Sequence, residues 1–418
     1  MSVQVTRLAN GLTVASDRMS GVESATLGVW VAAGARHEPE PVNGIAHLLE
    51  HMAFKGTSRR SAQLIAEEIE AVGGYLNAYT TREYTAYYAR ILAEDVPLAA
   101  DILGDILQHS TFEETELERE RAVILQEIGQ AEDTPDDIIF DHLQAVAFPD
   151  QPLGRPILGS PETVRRLSRD SVSSYLKSRY GASSMLLVGA GSIDHDQLVR
   201  LAEAHFSALP RTADLAVEPA SFKGGERREE RDLEQVHIVL GFCGLAHTDP
   251  DYYAASVYTT LIGGGMSSRL FQEIREKRGL AYSIYSFNQT YADGGLFGVY
   301  AGTGQSEAAE TVEVIASELA RSREGVSEEE LNRARAQVRA ALLMGRESTS
   351  SRAEQLAQHL LIFQRPLPLA EIIAEVEAVD RPRIAAIAER LTSAPAALAV
   401  MGPVDGLAPL GALTRALG

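Results

Sequence analysis

The feature that most constrains this chain is an internal duplication. Residues 25–34 read as a strand, 43–54 and 61–72 as helices, and 75–80 and 84–92 as two aromatic-rich strands. Residues 236–244, 252–261, 268–276, 281–285 and 295–301 repeat that order of strand, helix, helix, strand, strand. The halves also close alike: Met185-Leu186-Leu187-Val188-Gly189 matches Leu398-Ala399-Val400-Met401-Gly402, which lies 213 residues further on. At 418 residues the chain exceeds one ordinary core, so the repeat predicts two copies of one α+β domain. Each copy is expected to be an antiparallel-dominated sheet with helices packed on one face. Alternating residues on either side of Asn10-Gly11 add a β-hairpin in front of the first copy. The expected division is 1–215, a charged linker over 216–232, and a homologous domain over 233–418.

The copies differ at one place. His47-Leu48-Leu49-Glu50-His51 sets two imidazoles four residues apart, with a carboxylate immediately before the second. On a helix, positions i and i+4 share a face, so both rings can aim a nitrogen at one ion. A catalytic zinc site uses three protein ligands and leaves a fourth position for water, whose proton a free carboxylate such as Glu50 can take. Gly44-Ile45-Ala46 and Met52-Ala53-Phe54 predict an apolar, shielded setting. About 210 residues later, residues 257–261 contain neither His nor Glu, so the second half lacks the motif. A third ligand is expected from the glutamate-rich helix over 113–132. Within it Glu120 and Glu127 stand two turns apart on one face, with Val123 and Leu125 as apolar lining, and spacing does not choose between them.

The motif and the duplication resemble, over essentially the whole chain, the pitrilysin, insulysin and mitochondrial processing peptidase family of zinc metallopeptidases. That resemblance implies one Zn2+ per chain, held by His47, His51 and Glu127, the last lying 76 residues after His51. It makes Glu50 the base and Glu120 a carboxylate that orients a ligand histidine. It also implies that Arg275 and Tyr282, on either side of Gly279, reach the substrate carbonyl, where a cation and a phenol stabilise charge that develops in the transition state. An extended peptide is expected to pair with the strand carrying Asn77 and Ala78. Asp137 and Asp141 match acidic positions that receive a substrate arginine, although relatives tend to have Glu at the first of them. Asp133-Thr134-Pro135-Asp136 is also a good helix start in its own right. The run Gly263-Gly264-Gly265 lacks the Gly-Lys-Ser/Thr of a phosphate loop and reads as a turn and cap, or as a substrate-contacting loop of the family. The implied function is a zinc endopeptidase cutting extended peptides or presequence-like segments in a chamber formed by paired subunits. The pair would be a homodimer or a heterodimer with a related chain. The alternative is a non-catalytic peptide-binding or scaffold subunit of the same fold.

Charge bears on partners. With 58 acidic against 38 basic side chains, the net charge of −20 disfavours nucleic acid and otherwise serves solubility. No run of about 20 apolar residues occurs, and residues 1–20 lack a basic stretch followed by an apolar core. The single cysteine, Cys243, has no disulfide partner in the chain and is expected to be a buried thiol. Together these predict a cytoplasmic location with no membrane partner.

Overall fold

A computed structural model describes residues 2–211, 217–393 and 395–413; the expected boundary at residue 215 lies outside them. The described residues form two sheets. The first contains β1 (Val3–Arg7), β2 (Thr13–Arg18), β3 (Ser24–Val31), β4 (Tyr75–Thr80), β5 (Thr85–Leu92) and β6 (Met185–Gly191), in the order β1-β2-β6-β3-β5-β4. The second contains β7 (Gly225–Glu230), β8 (Val236–Cys243), β9 (Ala281–Thr290), β10 (Gly295–Thr303) and β11 (Ala396–Gly402), in the order β7-β11-β8-β10-β9. One pair in each sheet is parallel, β2 with β6 and β7 with β11, and the other pairs are antiparallel.

The duplication is visible in the strand ends. Gly191 closes β6 at φ 116°, and Gly402 closes β11 at φ 121°. A Cβ on either would stand 2.4 Å from a carbonyl oxygen at the start of the neighbouring strand, that of Ser24 or of Gln235. Both sites need a left-handed residue without a side chain. This pairs Gly191 with Gly402, so the repeat is in phase two residues away from the alignment that set Gly189 against Gly402. A shift of two leaves every side chain on the same face, so sequence alternation could not detect it.

The supposed linker also contains structure. Gly225-Glu226-Arg227-Arg228-Glu229-Glu230 is strand β7, the second-sheet counterpart of β2 in its parallel pairing. Its charges suit an outer strand, where they discourage further edge-to-edge pairing.

One face of the first sheet packs against α1 (Ile45–Ala53), α2 (Ala62–Ala71), α3 (Val96–Gln108) and α4 (Glu114–Glu132). A helix from this half of the sequence, α5 (Pro135–Ala147), does not join that layer, whereas α6 (Pro161–Arg166), α7 (Arg169–Arg179) and α8 (His195–Phe206) do. In the second half, α9 (Tyr252–Gly263), α10 (Ala308–Arg323), α11 (Glu328–Gly345), α13 (Leu369–Glu377) and α14 (Arg381–Thr392) build the equivalent layer, while α12 (Thr349–Phe363) stands apart from it. The exceptions are exchanged. Helix α5 covers the other face of the second sheet, over Val239, Tyr300 and Ala399, and α12 covers the other face of the first, over Ala15, Ala86 and Val188.

Strands β6 and β11 are buried along their whole length, and an apolar strand of that kind needs cover on both faces. Each sheet therefore has a helical layer on one face and a single added helix on the other. The compact units are residues 1–129, 155–218 and 344–367, and residues 130–154, 219–343 and 368–418. They differ from a contiguous division of the chain by these two exchanged segments. Cys243 is half-buried rather than enclosed. Residues 271–276, expected to be α-helical, are π-helical, with the Lys277 amide donating to the Gln272 carbonyl at 3.0 Å.

Candidate metal centre and peptide edge

Helix α1 is fixed by its apolar face. Ile45, Leu48, Leu49 and Met52 are at most 1% exposed, which leaves His47, Glu50 and His51 on the partly open side. Its start depends on Gly44, at φ 95°, where a Cβ would lie 2.7 Å from the Leu158 carbonyl oxygen. The buried Glu38 carboxylate completes the start by accepting from the amides of Gly44 and Ala46, both at 2.8 Å, and from the Asn43 side chain at 2.7 Å. Burial pushes this carboxyl up to about 7, while the three donors hold it down. Negative charge at a helix N-terminus is favourable.

On that platform three ligating groups converge. Glu127 Oε2 lies 3.8 Å from His47 Nε2 and 3.7 Å from His51 Nε2, and the ligand atoms of the three residues all fall within 4.8 Å of one another. Burial, with a smaller contribution from His51, lowers the His47 pKa to about 4, so this ring is neutral at pH 7. Glu127 Oε2 and His47 Nδ1 are buried without a hydrogen-bond partner. A solvent-shielded carboxylate oxygen facing two imidazole nitrogens is costly unless a cation joins them. Two histidines and one glutamate are the donor set of a catalytic zinc site. The residues therefore fit zinc, and Glu127 rather than Glu120 is the third ligand-capable carboxylate.

Glu120 is placed one layer out. Its Oε2 takes a hydrogen bond from His51 Nδ1 at 2.9 Å, and its Oε1 pairs with Lys55 Nζ at 2.5 Å. Burial works to raise its pKa, but Lys55 and His51 together hold it below the usual carboxylate value. With Nδ1 donating, His51 has its Nε2 lone pair free for a metal. Sequence reading missed Lys55, although it follows His51 by four residues, the spacing that puts side chains on one helical face. It also missed Thr80, whose hydroxyl donates to Glu50 Oε2 at 2.6 Å, and Glu38. Burial raises the Glu50 pKa against that bond, and Glu50 is within electrostatic reach of His51 and Glu127. Leu125 packs on the core as expected, whereas Val123 is 39% exposed.

Among the described residues strand β4 pairs only with β5 and forms the sheet edge. The exposed Asn77 accepts from the Ala78 amide at 2.9 Å and donates to the Tyr75 hydroxyl at 2.5 Å, so the edge amide is guarded by a side chain. Between α2 and β4 lies a cavity of about 380 Å3 lined by Phe54, Ile65, Ile69 and Leu76.

The remaining expected site residues belong to the second compact unit. The Arg275 guanidinium sits 4.8 Å from the centroids of both the Tyr282 and Phe271 rings, which brings this pair together beside the π-helical turn. Tyr282 is 73% exposed. Asp137 is exposed in the first turn of α5, and Asp141 is half-buried one turn later. Gly263 and Gly264 are close-packed, since a Cβ would lie 2.4 Å from the Ser286 amide nitrogen and 2.6 Å from Thr260 Cα respectively. Gly265 meets only the Gln337 side chain, at 3.5 Å or more.

Among the described residues no helix is long and apolar enough to cross a membrane. The sequence pattern of insulinase, peptidase family M16, matches residues 13–161, and that of the peptidase M16 inactive domain matches residues 166–338. An uncharacterized zinc protease of Rickettsia felis is 39% identical, covering 96% of this chain and 98% of that protein. A probable mitochondrial-processing peptidase subunit beta of Arabidopsis thaliana is 40% identical, covering 97% of this chain and 79% of that protein. In fold, the chain resembles a peptidase M16 inactive domain from Pseudomonas fluorescens, with a TM-score of 0.90 at 20% identity over 98% of this chain and 100% of that one. The chain belongs to the insulinase family of zinc proteases, peptidase family M16.

Proposed function

We propose that this protein is a zinc endopeptidase. The observation that carries the reading is the convergence of His47, His51 and Glu127 on one point, with a buried, unpartnered carboxylate oxygen among them and Glu50 held close by Thr80. Zinc bound there would supply Lewis-acid charge that acidifies water and polarises a carbonyl. Glu50 accepts the proton of the attacking water and delivers it to the leaving amine. The Thr80 hydroxyl fixes the orientation of Glu50, and the Lys55–Glu120–His51 chain fixes the ring that must keep Nε2 free. An extended peptide pairs with the β4 edge, displacing the Asn77 side chain from the Ala78 amide.

The finer assignments are part of the same reading. Arg275 and Tyr282 serve the substrate carbonyl in a paired subunit, so the working form is a homodimer or a pair with a related chain. Asp137 and Asp141 favour an arginine near the cut. A cytoplasmic location belongs to the same reading. The test is zinc analysis of the purified protein together with cleavage of a fluorogenic peptide, with and without chelator. About one zinc per chain and chelator-sensitive cleavage support the proposal. Zinc-free protein that cleaves nothing after zinc addition would favour a peptide-binding or scaffold role.

A further inference from the structure

The α12-covered face of the first sheet holds a cavity of about 390 Å3, on the reverse side of β4 from Glu50. Trp30, Tyr79 and Tyr88 wall it, with the Trp30 indole lying over Gly28, where a Cβ would come within 2.7 Å of the ring. At one side the Glu354 carboxylate accepts from Trp30 Nε1 at 3.2 Å, the Tyr84 hydroxyl at 2.8 Å, Gln358 Nε2 at 3.0 Å and the Tyr79 hydroxyl. All four donors are neutral. They fix the carboxylate but leave its charge uncancelled, and among the described residues no cation pairs with it.

The Arg90 guanidinium lines the same cavity, 4.5 Å from the Tyr75 ring centroid, and it too forms no ion pair among the described residues. Beside it the cavity presents the hydroxyl-bearing first turn of α12, where Ser350 Oγ meets Thr26 Oγ1 at 3.2 Å. Two opposite charges thus face one space of ligand size without reaching each other.

We infer that this cavity binds an α-amino-acid zwitterion, either a free amino acid or a dipeptide. Its ammonium lies toward Glu354 and the aromatic faces, and its carboxylate toward Arg90 and the Ser350 and Ser351 hydroxyls. An ammonium gains the attraction of a fixed carboxylate charge, whose lone pairs the four donors already occupy, together with ring faces on one side, and a carboxylate gains a guanidinium fork on the other. A lone cation or lone anion would satisfy one charge and be repelled by the other. The volume lies in the range of small-molecule sites. Tyr79 and Thr80 are neighbours on β4 that face opposite sides of the sheet, so an occupant would also bear on the strand that positions Glu50.

Trp30 is the only tryptophan of the chain and lines the cavity, so its fluorescence reports occupancy without any turnover. The experiment titrates the purified protein with L-leucine, glycyl-leucine, L-leucinamide and N-acetyl-leucine. The expected result is a saturable change with leucine or the dipeptide, whichever binds tighter identifying the source, and affinity lower by about tenfold for the amide and the N-acetyl compound. Arg90→Gln, at an exposed position that leaves the fold intact, should weaken the zwitterion by about tenfold, and Glu354→Gln by at least as much. No saturable change with either zwitterion would overturn the inference. So would equal binding of the amide and N-acetyl compounds, or unaltered affinity in Arg90→Gln. None of these outcomes bears on peptide cleavage.

Discussion

Glu120→Gln is the most direct probe of how the metal centre is built. Glu120 receives two donors at once, His51 Nδ1 at 2.9 Å and Lys55 Nζ at 2.5 Å. A glutamine has only one acceptor oxygen. The ammonium of Lys55 claims it, because a charged donor makes the stronger bond. The amide NH2 then faces His51 Nδ1, and the ring can accept that bond only by moving its proton to Nε2. The nitrogen aimed at Glu127 is then no longer a lone-pair donor. The expected loss of zinc affinity is roughly 10–100-fold, the usual range for such outer partners. That corresponds to about 1.4–2.8 kcal/mol. Competition against a chromophoric chelator measures it, with thermal unfolding as the control for global damage. Lys55→Met should weaken zinc in the same direction but less, since His51 keeps its acceptor. If Glu120→Gln binds zinc within about twofold of the parent chain, the tautomer argument is wrong.

Four further outcomes are expected. Glu50→Gln retains zinc but loses about 10²–10⁴-fold in kcat on a fluorogenic peptide, and an active variant would remove Glu50 as the base. Gly44→Ala forces a side chain into a left-handed site already closed by the Leu158 carbonyl. It should cost about 1–3 kcal/mol in chemical denaturation, and an unchanged midpoint would contradict the crowding. The Glu330 pKa is held down to about 2, chiefly by its hydrogen bond to Arg269. A depressed carboxyl contributes stability that is full above its ordinary value of 4.5 and is lost as pH falls toward 2. Glu330→Gln should therefore flatten the stability decline between those values in urea melts, and an identical acid limb would refute the assignment. If sites are shared between paired copies, mixing inactive Glu50→Gln with inactive Arg275→Ala/Tyr282→Phe protein should restore about a quarter of wild-type activity, since half of randomly formed dimers carry one intact site. No recovery would place all the groups on one chain or remove Arg275 and Tyr282 from the site.

Strand β4 and helix α1 show why much of the molecule could be read in advance. Their signals are local: alternation over residues 75–80, and an i,i+4 histidine pair on a helix whose other face is Ile45, Leu48, Leu49 and Met52. The order of elements in the two halves was legible for the same reason. The phase of the repeat was not, because a two-residue slip preserves alternation. Strand β7 was hidden because its residues are charged, and its strand state comes from pairing with β11, about 170 residues away.

The sequence alone therefore determined periodicity and spacing: two copies of a sheet with its helices, and two imidazoles with a carboxylate on one helical face. Tertiary structure decided which distant groups meet. It selected Glu127 over Glu120 as the third ligand-capable carboxylate and joined Lys55, Glu120 and His51 into one chain. It also exchanged α5 and α12 between the compact units, and left Glu354 and Arg90 facing a common cavity with no ion-pair partner among the described residues. The physical reason is range. Backbone geometry sets which neighbours within a turn or a strand share a face, whereas a partner dozens or hundreds of residues away is chosen only when the apolar faces find their cover and carry the polar groups with them.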